Sequence, residues 1–183
     1  MINISNLPKI INLITLLKNK RVAIVGNAQS IFDKKNGPII DNHDIIIRFN
    51  RGALDLNRAA QGTRTDILVK ANDKILTLNE ELSIYPNIIS YRLDKYAKDG
   101  QYNIGNIFLN LLQQDFNLGK KPSTGFAMIY IAILAGADIS LFGFDFGKTK
   151  TFYNADNYIT PHNYAREGYL TDLWAKEGKV RIY

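Results

Sequence analysis

The chain has no cysteine, so no disulfide braces it and no thiolate can serve as nucleophile or metal ligand. That absence fits a reducing compartment. Asp-x-Asp, the triplet with which many transferases grip a hard divalent cation, occurs nowhere in it. Only two histidines, His43 and His162, are present to act as imidazole bases. Two phosphate-binding fingerprints are also missing. After Arg21–Val25 the chain reads Gly26-Asn27-Ala28-Gln29-Ser30, without the later glycines of G-x-G-x-x-G, and no Gly-Lys-Ser/Thr closes this turn as it would a P-loop. The apolar run Ile2–Leu17 is interrupted by Pro8, Lys9 and several Asn, short of the roughly 20 residues a membrane span requires. It also lacks the basic start and small-residue cleavage site of a signal peptide.

What is present suits one globular domain over residues 1–183, long enough to bury a continuous core. Hydrophobic residues make up 46% and charged ones 22%, ordinary globular values that argue against a disordered chain. The formal charge of +6 favours an anionic partner: a nucleotide, an acidic glycan, a nucleic acid or a membrane surface. The basic residues are scattered and no aromatic-basic run of the RNA-binding kind occurs, which speaks against nucleic acid.

Apolar periodicity predicts a helix over 9–18, whose stripe flanked by Lys9, Lys18, Lys20 and Arg21 could pack on a sheet or lie on an anionic membrane. Strands are expected at Arg21–Val25, Asp44–Phe49, Thr65–Lys70, Asn87–Tyr91, Ile139–Phe144 and Val180–Tyr183. Between them fall a short helix or turn over Ile31–Asn36 that ends at Gly37-Pro38, and helices over Leu76–Ile84, Asn106–Asn117, Phe126–Ala135 and His162–Lys176. Gly52–Gln61 reads as irregular and Lys148–Thr160 as a polar loop. Strands alternating with helices predict an α/β fold: a mostly parallel, Rossmann-like sheet with helices on both faces.

Three places carry chemistry, each open to two readings. Gly26-Asn27-Ala28 follows a buried strand, where backbone can approach a ligand closely, or it is an ordinary strand-to-helix turn. Asn50 ends the second strand in the same manner. Pro122-Ser123-Thr124-Gly125 leads into an apolar helix: it presents hydroxyls and a helix N-terminus to an anion, or Ser123 only caps the helix. His162 and Glu167 share an H-x4-E spacing at a helix start, as a working pair or as a solvated surface pair. His43 precedes a strand among turn-forming residues and reads as structural.

In this order the segments resemble the sialylmotifs of the sialyltransferases, glycosyltransferase family 29. Val25-Gly26-Asn27, Ile40-Asp41-Asn42-His43-Asp44 with Arg48 and Asn50, and Gly62-Thr63-Arg64-Thr65 match the large motif, over about residues 21–65. Residues 121–144, from Pro122-Ser123-Thr124-Gly125 to Leu141-Phe142-Gly143-Phe144, match the small motif, and residues 161–167 the very short one. The resemblance implies a GT-A variant fold and an inverting, metal-independent transfer of sialic acid from its CMP ester to an oligosaccharide or lipooligosaccharide. No cofactor is implied. His162 would be the catalytic base with Glu167 supporting it; Gly26, Asn27, Ala28, Asn50, Ser123, Thr124, Gly125, Gly143, Phe144 and Tyr153 would meet the donor.

The chain departs from the animal members in two ways. Their third motif carries a histidine where this sequence has Thr151-Phe152-Tyr153-Asn154, leaving Tyr153 as the stand-in. Their disulfide positions are Val22 and Gly136 here. With no membrane anchor in view, a bacterial, cytoplasmic form is expected, peripheral at the inner membrane if the first helix touches it. Transfer of another CMP-activated ulosonic acid, Kdo-like, and a non-catalytic nucleotide-binding module are the alternatives.

Overall fold

Strands buried on both faces need consecutive apolar residues rather than alternation, and Arg21–Val25 (β1) and Ile45–Phe49 (β2) supply them at the centre of the sheet. The structure, a computed structural model, describes residues 4–5, 7–54, 56–71, 87–90, 102–153 and 160–183. Ile67–Lys70 (β3), Asn87–Ser90 (β4), Tyr102–Asn103 (β5), Asp138–Phe142 (β6) and Val180–Ile182 (β7) complete a seven-stranded sheet of order β5-β4-β3-β2-β1-β6-β7. Every neighbouring pair is parallel, so the expected α/β class holds and the sheet is more uniform than the mostly parallel one anticipated.

The two faces of the sheet are unequal. Val22 and Ile24 of β1 face a large core built with Pro8–Leu17 (α1), Gly105–Asp115 (α4), Thr124–Leu134 (α5) and Tyr164–Lys176 (α6). Ala23 and Val25, pointing the opposite way by the period of the strand, join Ile31, Ile40, Ile46 and Phe142 in a smaller cluster. That thinner layer is made by a 3-10 turn over Gln29–Asp33 and by Gly37–Asp41 (α2).

α1 starts one residue before the expected 9–18 because proline fits a first helical turn, where no backbone donor is needed. Its stripe, Ile10, Leu13 and Leu17, is buried on the sheet, so the face that could have met a membrane is spent on the core. No described helix is long and apolar enough to cross a membrane. α5 is apolar all round and buried from Phe126 to Ala132, as such a helix must be. An aromatic group closes α6 onto it, with Trp174 stacked on Phe126 at 5.2 Å between ring centroids.

Several expectations need correction. The short helix or turn expected over Ile31–Asn36 is the 3-10 turn, shifted to Gln29–Asp33, and Gly37-Pro38 opens α2 instead of ending it; Pro38 again occupies a first turn. Gly52–Gln61 is not wholly irregular, since Asn50–Ala53 forms a 3-10 turn and Arg58–Gln61 (α3) a single helical turn capped by the Asn57 side chain. β5 was not anticipated, and α6 begins at Tyr164, not His162, because Asn163 takes the cap position. The helix expected over Leu76–Ile84 lies outside the described residues.

Candidate active site

From β1 the chain builds outward through β2, β3, β4 and β5, then returns to place β6 on the other side of β1. The strand order therefore reverses between β1 and β6, and in open parallel sheets the crevice at the carboxyl ends of such strands is where ligands bind. The loops leaving those two strands are Gly26-Asn27-Ala28 and Gly143-Phe144, both anticipated as site residues.

They are pressed together as only glycine allows. A β-carbon at Gly26 would lie 2.4 Å from the carbonyl oxygen of Gly143, and one at Gly125 would lie 2.7 Å from the Phe144 ring. Gly26 N donates to Phe142 O at 2.7 Å and Ala28 N to Gly143 O at 3.2 Å. Phe144 is thus the hub on which the exit of β1, the exit of β6 and the start of α5 converge, with Phe49 edge-on at 6.3 Å.

Asn27 braces this junction. Its Nδ2 donates to Phe49 O at 3.1 Å, at the end of β2, and is 3.0 Å from the hydroxyl of Tyr153. Tyr153 comes from the segment after β6, which runs antiparallel to the Gly26–Gln29 turn: Phe152 N donates to Asn27 O at 3.0 Å, and Ala28 pairs with Thr151. Asn50 sits in the left-handed region at φ 51 and accepts from Ala71 N at 2.8 Å, tying the exits of β2 and β3. Arg48 is fully buried and donates to Arg64 O, Thr65 Oγ1 and Gln61 O. The Asp41 carboxylate accepts from Thr63 N and Arg64 N. These bonds make Asp41, Arg48 and Gly62–Thr65 one clamp beneath the crevice. His43 is local to it, its Nδ1 2.9 Å from Ile39 O, in keeping with a structural reading.

The second half of the site is the turn before α5. Ser123 Oγ caps the helix, accepting from Phe126 N at 3.1 Å, so the positive end of the helix lies at Ser123, beside the buried Thr124. Two residues from the α6 region hold this turn from behind. Glu167 is buried, and its Oε1 accepts from Ser123 N at 2.7 Å. Burial pushes its carboxyl up to about 7, against the opposing pull of the bonds from Ser123. His162 Nδ1 lies 2.9 Å from Lys121 O. A carbonyl can only accept, so Nδ1 carries the hydrogen and the lone pair of the neutral ring falls on Nε2. The two residues linked in sequence as H-x4-E therefore grip successive points of one turn, Lys121 and Ser123.

His162 lines a cleft of about 830 Å³. Lys120, Lys148 and Lys150 bring positive charge to its walls, Phe146 and Tyr164 bring aromatic surface, and no carboxylate is among its described lining residues. The sequence reading did not single out these lysines or Asp145, whose carboxylate organises the segment carrying two of them. The signal was there: Asp145-Phe146-Gly147 has the Asp and Gly of a side-chain-stabilised turn. Among the described residues no group of three His, Cys, Asp or Glu is placed to hold a metal ion.

The model of glycosyltransferase family 29 (sialyltransferase) matches residues 4–87. Solved structures agree over nearly the whole chain. A mammalian sialyltransferase in complex with Gal-beta-1-3GalNAc-ortho-nitrophenol superposes with a TM-score of 0.67 at 18% identity, over 98% of this chain and 79% of that one. The sialyltransferase CstII from Campylobacter jejuni, in complex with the substrate analogue CMP-3FNeuAc, gives 0.54 at 17% identity, over 90% of this chain and 79% of that one. No curated protein matches the chain in sequence.

Proposed function

We propose that the chain, whose residues 4–87 match the model of glycosyltransferase family 29 (sialyltransferase), moves sialic acid from its CMP ester to a hydroxyl of a glycan acceptor, inverting the anomeric centre in one displacement without a metal. The observation that carries this reading is His162. Its ring is oriented by the Lys121 carbonyl, it faces a basic cleft, and it stands beside the N-terminus of α5.

The donor brings a carboxylate next to the reacting carbon and a phosphate as leaving group, so the bond that breaks separates an oxocarbenium-like sugar from an anion. In this reading the N-terminus of α5, with Ser123, Thr124 and Gly125, holds the carboxylate. The crevice at Gly26, Asn27, Ala28, Asn50, Gly143 and Phe144 takes the nucleotide, and the hydroxyl of Tyr153, on Asn27, meets the phosphate. His162 Nε2 removes the acceptor's proton as the new bond forms. Glu167 keeps the Ser123 turn in place beneath. A group of donors fixed before the reaction stabilises developing charge without reorganising, which is the main lever such a site has.

The test is transfer from CMP-Neu5Ac to a panel of galactosides, with product stereochemistry read by NMR. His162→Ala is expected to lower kcat by about 10²-fold or more while CMP affinity holds. Near-full transfer by that variant would remove His162 from the chemistry.

A further inference from the structure

We infer that Asp145 is a positioning residue for the transfer reaction: its carboxylate folds Phe146–Thr151 into a wall of the cleft that holds the acceptor against His162. The inference rests on the function proposed above.

Four donors converge on this one side chain. Oδ1 accepts from Gly147 N at 3.1 Å, while Oδ2 accepts from Thr149 N at 2.9 Å, from Ser30 Oγ at 3.2 Å and from Thr149 Oγ1. Thr149 Oγ1 accepts in turn from Ser30 N at 3.3 Å. Only an ionised carboxylate, with about four lone-pair sites over two oxygens, can accept from so many donors at once: three fall on Oδ2 and one on Oδ1, and no other side chain of similar size offers this. The backbone needs that hold. Phe146 has φ 53 and Gly147 φ 89, and a left-handed phenylalanine persists only where its surroundings over-determine it. Phe146 also packs on α6, where a β-carbon at Gly168 would come 3.0 Å from it.

Beyond the clamp the segment is fastened to the nucleotide turn, since Gln29 N donates to Lys150 O at 2.8 Å and Thr151 pairs with Ala28. Asp145 does not line the cleft itself; Phe146, Lys148, Thr149, Lys150 and Thr151 do. The residues it orders at 147–150 are exposed and contribute nothing to either core cluster. Losing the clamp should thus disturb the shape of the wall more than the stability of the fold.

The experiment compares Asp145→Ala, Asp145→Asn and Ser30→Ala in the full chain, with CMP-Neu5Ac and a nitrophenyl β-galactoside. Asp145→Ala is expected to raise the acceptor KM about 10-fold or more, with donor KM, CMP affinity and melting temperature little changed. Asp145→Asn, which keeps one acceptor oxygen, should fall between it and wild type. Ser30→Ala removes a single arm, so it should shift the same constant less, and add nothing once Asp145 is gone. An unchanged acceptor KM in Asp145→Ala overturns the inference, as does a loss in every constant that merely tracks melting. If Asp145→Ala does not fold, Ser30→Ala decides by the same constant. A wild-type chain that transfers from no CMP-sugar would instead overturn the function and this role together.

Discussion

Glu167 shows how a single residue's surroundings decide its chemistry. Its carboxyl is sealed between α5 and α6 with one oxygen on Ser123 N and, among the described residues, no hydrogen-bond partner for the other, and burial raises its pKa from the usual 4.5 to about 7. A raised native pKa means that the folded state binds the proton more tightly than the unfolded one. Stability from this group is therefore fully present below about pH 4.5 and is lost as pH rises through about 7. Glu167→Gln keeps an oxygen for Ser123 N and removes the titration. The variant should melt close to wild type at acid pH and above it on the alkaline side of 7, by an amount on the order of 3 kcal/mol. Equal melting temperatures for both proteins across that range would show that the buried carboxylate carries no such penalty. At this scale the sequence was partly legible. His162 and Ser123 stand out by spacing and type, but the carbonyl that orients His162 is a backbone atom of Lys121, 41 residues away, and backbone atoms leave no mark in a sequence.

Elements were legible where their own residues decide them. β1, β2, α5 and β6 lie within about two residues of where periodicity puts them, because a run of aliphatic side chains or a Ser-capped apolar helix has one low-energy place to go. α2 and α3 were missed because each is a single turn held from outside itself: Asp41 at the end of α2 takes bonds from Thr63 and Arg64, just past α3. A β-carbon at Gly37 would fall 2.0 Å from Arg58 O, so the two turns touch through backbone. The same kind of contact joins β1 to β6. Gly26→Ala sets a methyl against the Gly143 carbonyl, backbone on backbone, and neither strand end can move without losing ladder bonds. Overpacking of this kind costs about 1–3 kcal/mol, so the variant should melt several degrees lower and bind CMP weakly because the crevice has been forced apart. A Gly26→Ala protein with wild-type melting and wild-type CMP affinity would mean that the two loops separate freely and that the crevice is not held by the Gly26–Gly143 contact.

For the molecule as a whole, topology chooses where a ligand sits and charge chooses which ligand. The reversal of strand order between β1 and β6 opens one crevice, and the start of α5, capped by Ser123, points its positive end to the same region. Lys120, Lys148 and Lys150 line the adjoining cleft, on a chain whose formal charge is +6. The start of α5, the Tyr153 hydroxyl and the field of the excess positive charge can meet an anionic donor by themselves, whereas Asp-x-Asp, the usual cation-holding triplet, does not occur in the sequence. CMP should accordingly bind in the presence of EDTA with the same affinity as in added Mg²⁺. The contacts being partly exposed, binding should weaken several-fold as salt rises from about 0.05 to 0.5 M, where the Debye length falls well below the roughly 10 Å it has at 0.1 M. Calorimetry separates the outcomes. Loss of binding on chelation, restored by Mg²⁺, would show that a cation bridges the phosphate. Binding that ignores both chelator and salt would place the affinity in the apolar and backbone contacts at Gly26, Gly143 and Phe144.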